Sequence, residues 1–117
     1  MSSQLSAKSW IVVGHVVRSE PRVALRFEWD AGKALANVLK HGVRFDEAET
    51  VFGDPLSKTI SDPMHSAVES RFVTTGMSNL GRLLVVVHAD WDDTIRIISA
   101  RPITAGERRT YEEENSS

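Results

Sequence analysis

Cysteine is absent from this chain of 117 residues, and its absence excludes disulfide bridges and thiolate metal sites. No apolar run approaches the roughly 20 residues that a membrane-spanning helix needs, so we expect no membrane contact. The four histidines are far apart in the sequence, and neither an HxH or HExxH motif nor a glycine-rich phosphate loop occurs. We therefore predict a protein without metal or cofactor, and a cytoplasmic location because nothing indicates export.

An excess of positive charge is also missing, because the chain has 14 Lys and Arg but 16 Asp and Glu, for a net charge of −2. Nucleic-acid-binding proteins are often strongly basic, so this total argues mildly against that class. The distribution of charge matters more than the sum. The acids cluster at residues 90–93 and 112–114, which leaves the arginines elsewhere free to form a local positive face.

The length and an apolar content of 41% are ordinary for one soluble domain. Residues 1–25 differ from the rest, since a polar, serine-rich start is followed by the apolar run from Trp10 to Val17. This run predicts either an extra strand or a peripheral segment. We favour a peripheral N-terminal extension over residues 1–25 and a folded domain over residues 26–117.

The most apolar part of the chain predicts a β-hairpin at the centre of a sheet. Residues 83–87 and 95–98 are short runs rich in Val, Leu and Ile, with the polar break 90–93 between them. Such runs favour strands. Two strands this close in sequence are antiparallel, because a parallel pair needs a crossover of a dozen or more residues.

Helices are predicted on both sides of the strand region. Asp30 is a suitable N-cap for a helix over residues 31–41, and Gly42 suits its C-terminus. Helical spacing predicts a buried stripe and an outer side on this helix. The predicted stripe is Ala34, Leu35, Val38 and Leu39, and the outer side is Lys33, Asn37, Lys40 and His41.

A second helix follows from Phe45, and Thr104 with Glu107 forms a capping box for a short C-terminal helix. This order predicts an α+β fold. We expect an antiparallel sheet of about four strands, with the two N-terminal helices packed on one face and a short C-terminal helix.

Several runs of the sequence resemble one known family. The first is Phe27-Glu28-Trp29-Asp30, followed by Lys33, Asn37, Lys40-His41-Gly42-Val43 and Asp54-Pro55. The others are Arg71-Phe72, Gly81 to His88, Arg96 to Arg101, Glu107-Arg108-Arg109 and Tyr111-Glu112. In this order and spacing they resemble the BrnT toxins over about residues 26–113.

The resemblance implies a RelE-like fold and a toxin of a type II toxin–antitoxin system. It implies a metal-independent endoribonuclease that cleaves RNA and inhibits translation. A BrnA-type antitoxin would neutralise it, and operator DNA would be bound only through the toxin–antitoxin complex. The acidic residues at 90–93 depart from the family's more basic hairpin tip.

Metal-independent RNA cleavage needs a base for the 2′-hydroxyl, cations for the charged intermediate and an acid for the leaving oxygen. Arginine stays charged and grips phosphate with two hydrogen bonds. Histidine titrates near neutral pH. The candidate catalytic residues are Arg71, Arg82, Arg101, His41, His88 and Glu69. Structural alternatives are a half-buried core position for His88 and a helix C-terminal cation for His41.

The candidate RNA-binding residues are Lys33, Lys40, Arg96 and Tyr111, although Tyr111 equally suits an anchor for the last helix. Strict alternation places Arg96 and Arg101 on opposite sides of their strand unless a bulge intervenes. We therefore predict that Arg101 serves the site and that the helix end at Lys40 and His41 forms its wall. The alternative function is a catalytically weak or inactive toxin-like module that acts in protein association and operator binding.

Overall fold

The computed structural model describes residues 11–19, 23–62 and 70–115, with side-chain environments from Leu25 onward. The strands are β1 (Ile11–Ser19), β2 (Val23–Asp30), β3 (Lys58–Ser61), β4 (Arg71–Met77), β5 (Leu83–Trp91) and β6 (Thr94–Pro102). The helices are α1 (Ala31–His41), α2 (Phe45–Thr50), which continues into a 3₁₀ turn (Val51–Gly53), and α3 (Ala105–Glu114). The α+β class predicted from the sequence is confirmed.

The strands form one sheet in the order β1-β2-β6-β5-β4-β3. The predicted central hairpin is confirmed as β5 and β6, joined by a tight turn at Asp92 and Asp93. The predicted sheet of about four antiparallel strands is wrong in two respects. Within the described residues the sheet has six strands, and β2 pairs with β6 in parallel. The parallel pair arises because α1, α2 and three strands lie between β2 and β6 and form a long crossover.

Three of the helix ends are built as the sequence predicts. The Asp30 side chain accepts a hydrogen bond from the Lys33 backbone N–H at 2.9 Å, and Gly42 ends α1 with a φ of 70°. At the start of α3, Thr104 and Glu107 cap each other's backbone N–H groups. These local contacts satisfy backbone donors that a helix terminus leaves without partners.

The hydrophobic core lies between α1 and α2 and one face of the sheet. Phe27 and Trp29 from β2, together with residues of β5 and β6, pack against Phe45 of α2. Trp29 and Phe45 meet edge to face, with ring centroids 6.0 Å apart. The third helix, α3, lies against the other face, where Tyr111 and Val85 line a common cleft. The sheet therefore has a core face and a second face that carries α3.

Only part of the predicted apolar stripe of α1 faces the core, because Ala34 packs against the core but the two leucines do not. Leu35 and Leu39 are 64% and 80% exposed, whereas Asn37 is only 6% exposed. The Asn37 amide donates to the carbonyl oxygens of Val43 at 2.9 Å and Ala100 at 2.8 Å, and its oxygen accepts from the Ala100 N–H at 3.1 Å. Buried backbone groups must find partners, and here an asparagine supplies them where a leucine would leave them unpaired.

Residues 1–25, for which we predict a peripheral extension, include β1 at the edge of the sheet and the start of β2. The register of β1 against β2 runs from Ile11↔Asp30 to Ser19↔Val23, with a shift between Val13 and Val16. An edge strand has one neighbour, so its removal leaves the β2–β6 pairing in place.

Deletion of residues 1–20 should therefore leave a domain that unfolds cooperatively, although with a lower midpoint. Phe27 and Trp29 of β2 stay anchored in the core, so most of the buried apolar surface is kept. Urea denaturation followed by circular dichroism measures this. A deletion variant without a cooperative transition would show that β1 is an obligatory part of the domain.

Candidate nucleic-acid interface

A bulge at Ile98 places the strand arginines on one face of the sheet. Val87 pairs with Ser99 but His88 pairs with Ile97, so Ile98 is an extra residue in β6. Residues directly opposite each other in a ladder point to the same face. Arg101 lies opposite Val85, and Arg96 lies opposite Ala89. The prediction that these two arginines lie on opposite sides is therefore wrong, because one inserted residue shifts the alternation.

Both arginines point to the face that carries α3, away from α1 and α2. Arg71 of β4 also lies opposite Ala89, so Arg71 and Arg96 flank this alanine on neighbouring strands. Arg96 is held by Glu28 of β2, with 3.1 Å between the two charged groups. The α3 face thus brings together three of the predicted arginines: Arg71, Arg96 and Arg101.

A cleft of about 420 Å³ lies on this face between α3 and strands β3, β4 and β5. Its floor is apolar, and its rim carries cationic and hydroxyl groups together with the carboxylates of Glu107 and Glu114. Apolar walls with a few polar groups are typical of small-molecule sites. The principal lining residues are Lys58, Val73, Thr75, Val85, Arg101 and Tyr111.

Arg101 is held at the cleft by an ion pair with Glu107 at the start of α3. Two parallel hydrogen bonds of 2.9 and 2.8 Å join the guanidinium and the carboxylate. The pairing with Arg101 lowers the pKa of Glu107 to about 2, and it raises the pKa of Arg101. Both groups therefore stay charged near neutral pH. A phosphate can bind Arg101 only by sharing the guanidinium with Glu107 or by displacing the carboxylate.

Tyr111 lies at the other side of the cleft, half-buried on α3. Its hydroxyl donates to the Leu56 carbonyl at 3.3 Å and lies 3.4 Å from an Asp54 carboxylate oxygen. Burial and the charge of Asp54 raise the pKa of Tyr111, so the phenol stays protonated near neutral pH. The position serves both predicted roles, because the side chain anchors α3 and also lines the cleft.

Lys58 is a cleft residue that the sequence reasoning missed. It is exposed on β3, and its ammonium group has no ion pair within the described part of the chain. An unpaired cation on an edge strand is a ready phosphate contact. The sequence did indicate this position, because Lys58 and Ile60 lie two residues apart in the run from Leu56 to Ser61 and therefore share one face of a strand.

The remaining predicted cations lie elsewhere. Arg82 donates to both carboxylate oxygens of Glu47, with Nε 3.0 Å from Oε2, and to the Gly42 carbonyl at 3.2 Å. It joins the turn before β5 to the junction of α1 and α2. His41 is half-buried at the end of α1. Lys40 and His41 lie on α1, which packs on the core face, whereas the cleft is on the other face. The wall predicted at Lys40 and His41 is therefore not part of this cleft and stays a prediction.

His88 occupies the core and does not reach the surface. It is 1% exposed, its Nε2 lies 2.7 Å from the Thr74 hydroxyl, and its Nδ1 lies 2.5 Å from an Asp90 carboxylate oxygen. The Phe52 ring packs edge to face on the imidazole with centroids 4.8 Å apart. The structural alternative for His88 fits this setting better than contact with RNA. Glu69, the predicted base, lies outside the described residues.

The sequence matches one known family. The family model described as "Ribonuclease toxin, BrnT, of type II toxin-antitoxin system" matches residues 29–107. This chain belongs to the BrnT family. The match includes Lys58, Arg101 and Glu107 and ends before Tyr111.

A solved relative has a similar fold. The crystal structure of the Brucella abortus ribonuclease toxin, BrnT, aligns with a TM-score of 0.52 and 22% sequence identity. The alignment covers 65% of this chain and 92% of that chain. Comparison with curated protein sequences gave no significant match. The resemblance predicted from the sequence is confirmed at the level of the family.

Among residues 11–19, 23–62 and 70–115, no three potential ligands of the His, Cys, Asp and Glu types lie close enough together to hold a metal ion. No helix in these ranges is long and apolar enough to cross a membrane. The metal-free and membrane-free expectations stay predictions.

Replacement of Arg82 by alanine should reduce stability, because Glu47 is only 5% exposed and would keep a charge without its partner. We expect a loss of about 2–4 kcal/mol in the free energy of unfolding. The double variant Arg82→Ala/Glu47→Gln should recover part of the loss, since it removes the buried charge. Urea titration of the three proteins checks this. A double variant less stable than Arg82→Ala would contradict it.

Replacement of Glu107 by glutamine should reduce stability at pH 7 but not in acid. A carboxylate with a lowered pKa stabilises the fold above its ordinary value of 4.5, and the effect is lost as the pH falls towards 2. Both partners of the pair are about 40% exposed, so we expect a difference of about 1 kcal/mol or less. Urea titrations at pH 7 and pH 2.5 measure it. Glu112→Gln, in an exposed pair with Arg108, is the control, and an equal effect there would contradict the assignment.

Proposed function

We propose that this BrnT-family protein is a metal-independent endoribonuclease that cleaves RNA in the cleft under α3. The family membership supports RNA cleavage. The observation that supports this location of the active site is the cleft itself, in which Lys58, Arg101 and Tyr111 surround an apolar floor. Arg71 and Arg96 lie farther along the same face, so the arginines of this face form a line that an RNA backbone could follow.

Different cleft residues take the three tasks of RNA cleavage: charge stabilisation, proton donation and proton abstraction. Lys58 and Arg101 stabilise the additional negative charge on the phosphorus when the 2′-oxygen attacks. Tyr111, whose raised pKa keeps it protonated, donates a proton to the leaving 5′-oxygen. Once Arg101 turns to phosphate, Glu107 loses the contact that lowers its pKa and becomes a stronger base for the 2′-hydroxyl.

The wider role follows from the same assignment. We propose that the protein acts in the cytoplasm as the toxin of a type II system, inhibits translation by cutting RNA, and is neutralised by a BrnA-type antitoxin. Operator DNA would be bound only by the toxin–antitoxin complex. His41, Arg82, Lys33 and Lys40 have no place in this cleft and stay predictions from the sequence.

One observation favours a second candidate function. The pairing of Arg101 with Glu107 and of Arg96 with Glu28 neutralises two strand arginines in the free protein. A protein that kept these pairs in the presence of RNA would be a catalytically weak module that acts in protein association and operator binding.

Purified protein should cleave a labelled RNA in the presence of EDTA, and Lys58→Ala and Arg101→Ala should each lower the rate about 10²- to 10³-fold. Arg109→Ala is the matched control, because Arg109 is exposed on α3 but does not line the cleft. Circular dichroism verifies that each variant is folded. Gel analysis of the products gives the rates.

Induction in cells provides the second readout, with growth and RNA integrity followed for the wild type and the same variants. Intact RNA and normal growth with the wild-type protein would contradict the enzyme proposal and favour the association module. Full cleavage by both cleft variants would contradict the site but leave the activity in place.

A further inference from the structure

The outer side of α1 is apolar, although it faces solvent. Leu35 and Leu39 lie one helical turn apart and are 64% and 80% exposed, and the exposed Gly32 and Ala36 lie beside them. We call Gly32, Leu35, Ala36 and Leu39 the outer face of α1. The core side of the same helix carries Asn37. Adjacent exposed leucines on one side of a helix form the kind of apolar surface that can mark a contact site for a partner.

A groove of about 370 Å³ adjoins the outer face, between α1 and α2. Trp29 and Phe45 form part of its lining and are themselves 6% and 2% exposed. Val38, which is 38% exposed, joins the groove to Leu35. The charged part of the lining is Arg44 and Asp46, which form an ion pair with each other at 3.0 Å. An apolar stripe beside an aromatic-lined groove is the form of surface that takes an amphipathic helix, whose large side chains fill the groove.

The charges around this surface select the partner. Lys33 and Lys40 flank the outer face on one side and are both exposed, and no acidic residue occurs between Ala31 and His41. A second copy of the chain that docked α1 on α1 would bring these lysines together, which opposes self-association. RNA could pair with the lysines, but the leucine face has no polar group that could form a hydrogen bond with it. A helix with an apolar stripe and an acidic flank would pack its stripe on the leucines and pair its carboxylates with the lysines.

We propose that the outer face of α1 and the adjoining groove bind an acidic amphipathic helix of the antitoxin. This inference rests on the proposed function, from which the identity of the partner is taken. The surface belongs to the core side of the sheet, whereas the RNA cleft lies on the opposite side. The antitoxin is therefore anchored at a place separate from the residues that cut RNA, and binding and cleavage can be altered independently.

The test uses the full chain and, as the probe, the purified protein encoded by the open reading frame adjacent to this gene. Isothermal titration should show that Leu35→Glu/Leu39→Glu weakens binding about 100-fold or more, since a central apolar anchor is replaced by charge. Lys33→Glu/Lys40→Glu should weaken it about 10-fold and reduce its dependence on salt. Leu80→Glu is the matched control, because Leu80 is 68% exposed in the turn between β4 and β5.

Cleavage of labelled RNA by the free proteins separates this inference from the proposed function. The Leu35→Glu/Leu39→Glu variant should cleave at the wild-type rate and resist neutralisation by the probe. A wild-type protein that binds the probe but cleaves no RNA would overturn the proposed function and leave the docking surface in place.

Three results would overturn the docking surface. The first is a wild-type chain that does not bind the probe, and the second is an unchanged affinity of the leucine variant. The third is a different occupant: a wild-type dimer in sedimentation that the leucine variant abolishes would assign the face to a second copy, and a loss of RNA affinity would assign it to RNA.

Discussion

The pairing of β5 with β6, with Ile98 as an extra residue, is the constraint on which the rest of the structure depends. These two strands are the centre of the sheet, so their register decides what every side chain on both faces can contact. On one side of the bulge Ile97 points to the core, and on the other Ala100 does. Without the insertion, either Arg96 or Arg101 would point into the core, where an unpaired guanidinium is costly.

Three arginines, two in β6 and one in the turn before β5, are each matched by a carboxylate from another element. Arg96 pairs with Glu28 of β2, Arg101 with Glu107 of α3, and Arg82 with Glu47 of α2. The acids that lower the net charge to −2 are thus partly used to hold basic side chains in fixed positions. The pairs differ in accessibility, since Glu47 is buried and Glu107 is not. The buried pair suits a structural role, and the exposed pair can exchange its carboxylate for a phosphate.

The α1 helix shows that the spacing of apolar residues does not by itself identify the side of a helix that faces the core. Its apolar residues recur at helical spacing, and such a stripe normally faces the core. Here the backbone of Val43 and of Ala100 needs polar partners, and Asn37 supplies them. Asn37 makes three hydrogen bonds in this buried place, where an apolar side chain would leave backbone groups unpaired at a cost of about 1–3 kcal/mol each. The exposed stripe then becomes a surface for a partner.

Local chemistry explains what could be predicted from the sequence alone. Four features depend only on neighbours within a few residues: the extent of α1, its caps at Asp30 and Gly42, the capping box of α3 and the central hairpin. The family signature is likewise a series of local patterns. The tertiary structure decided which residues share the cleft. Lys58 and Arg101 line it from strands separated by two others, and the face that Arg101 occupies depends on a bulge. Such relations depend on contacts far apart in the chain, and neither periodicity nor composition records them.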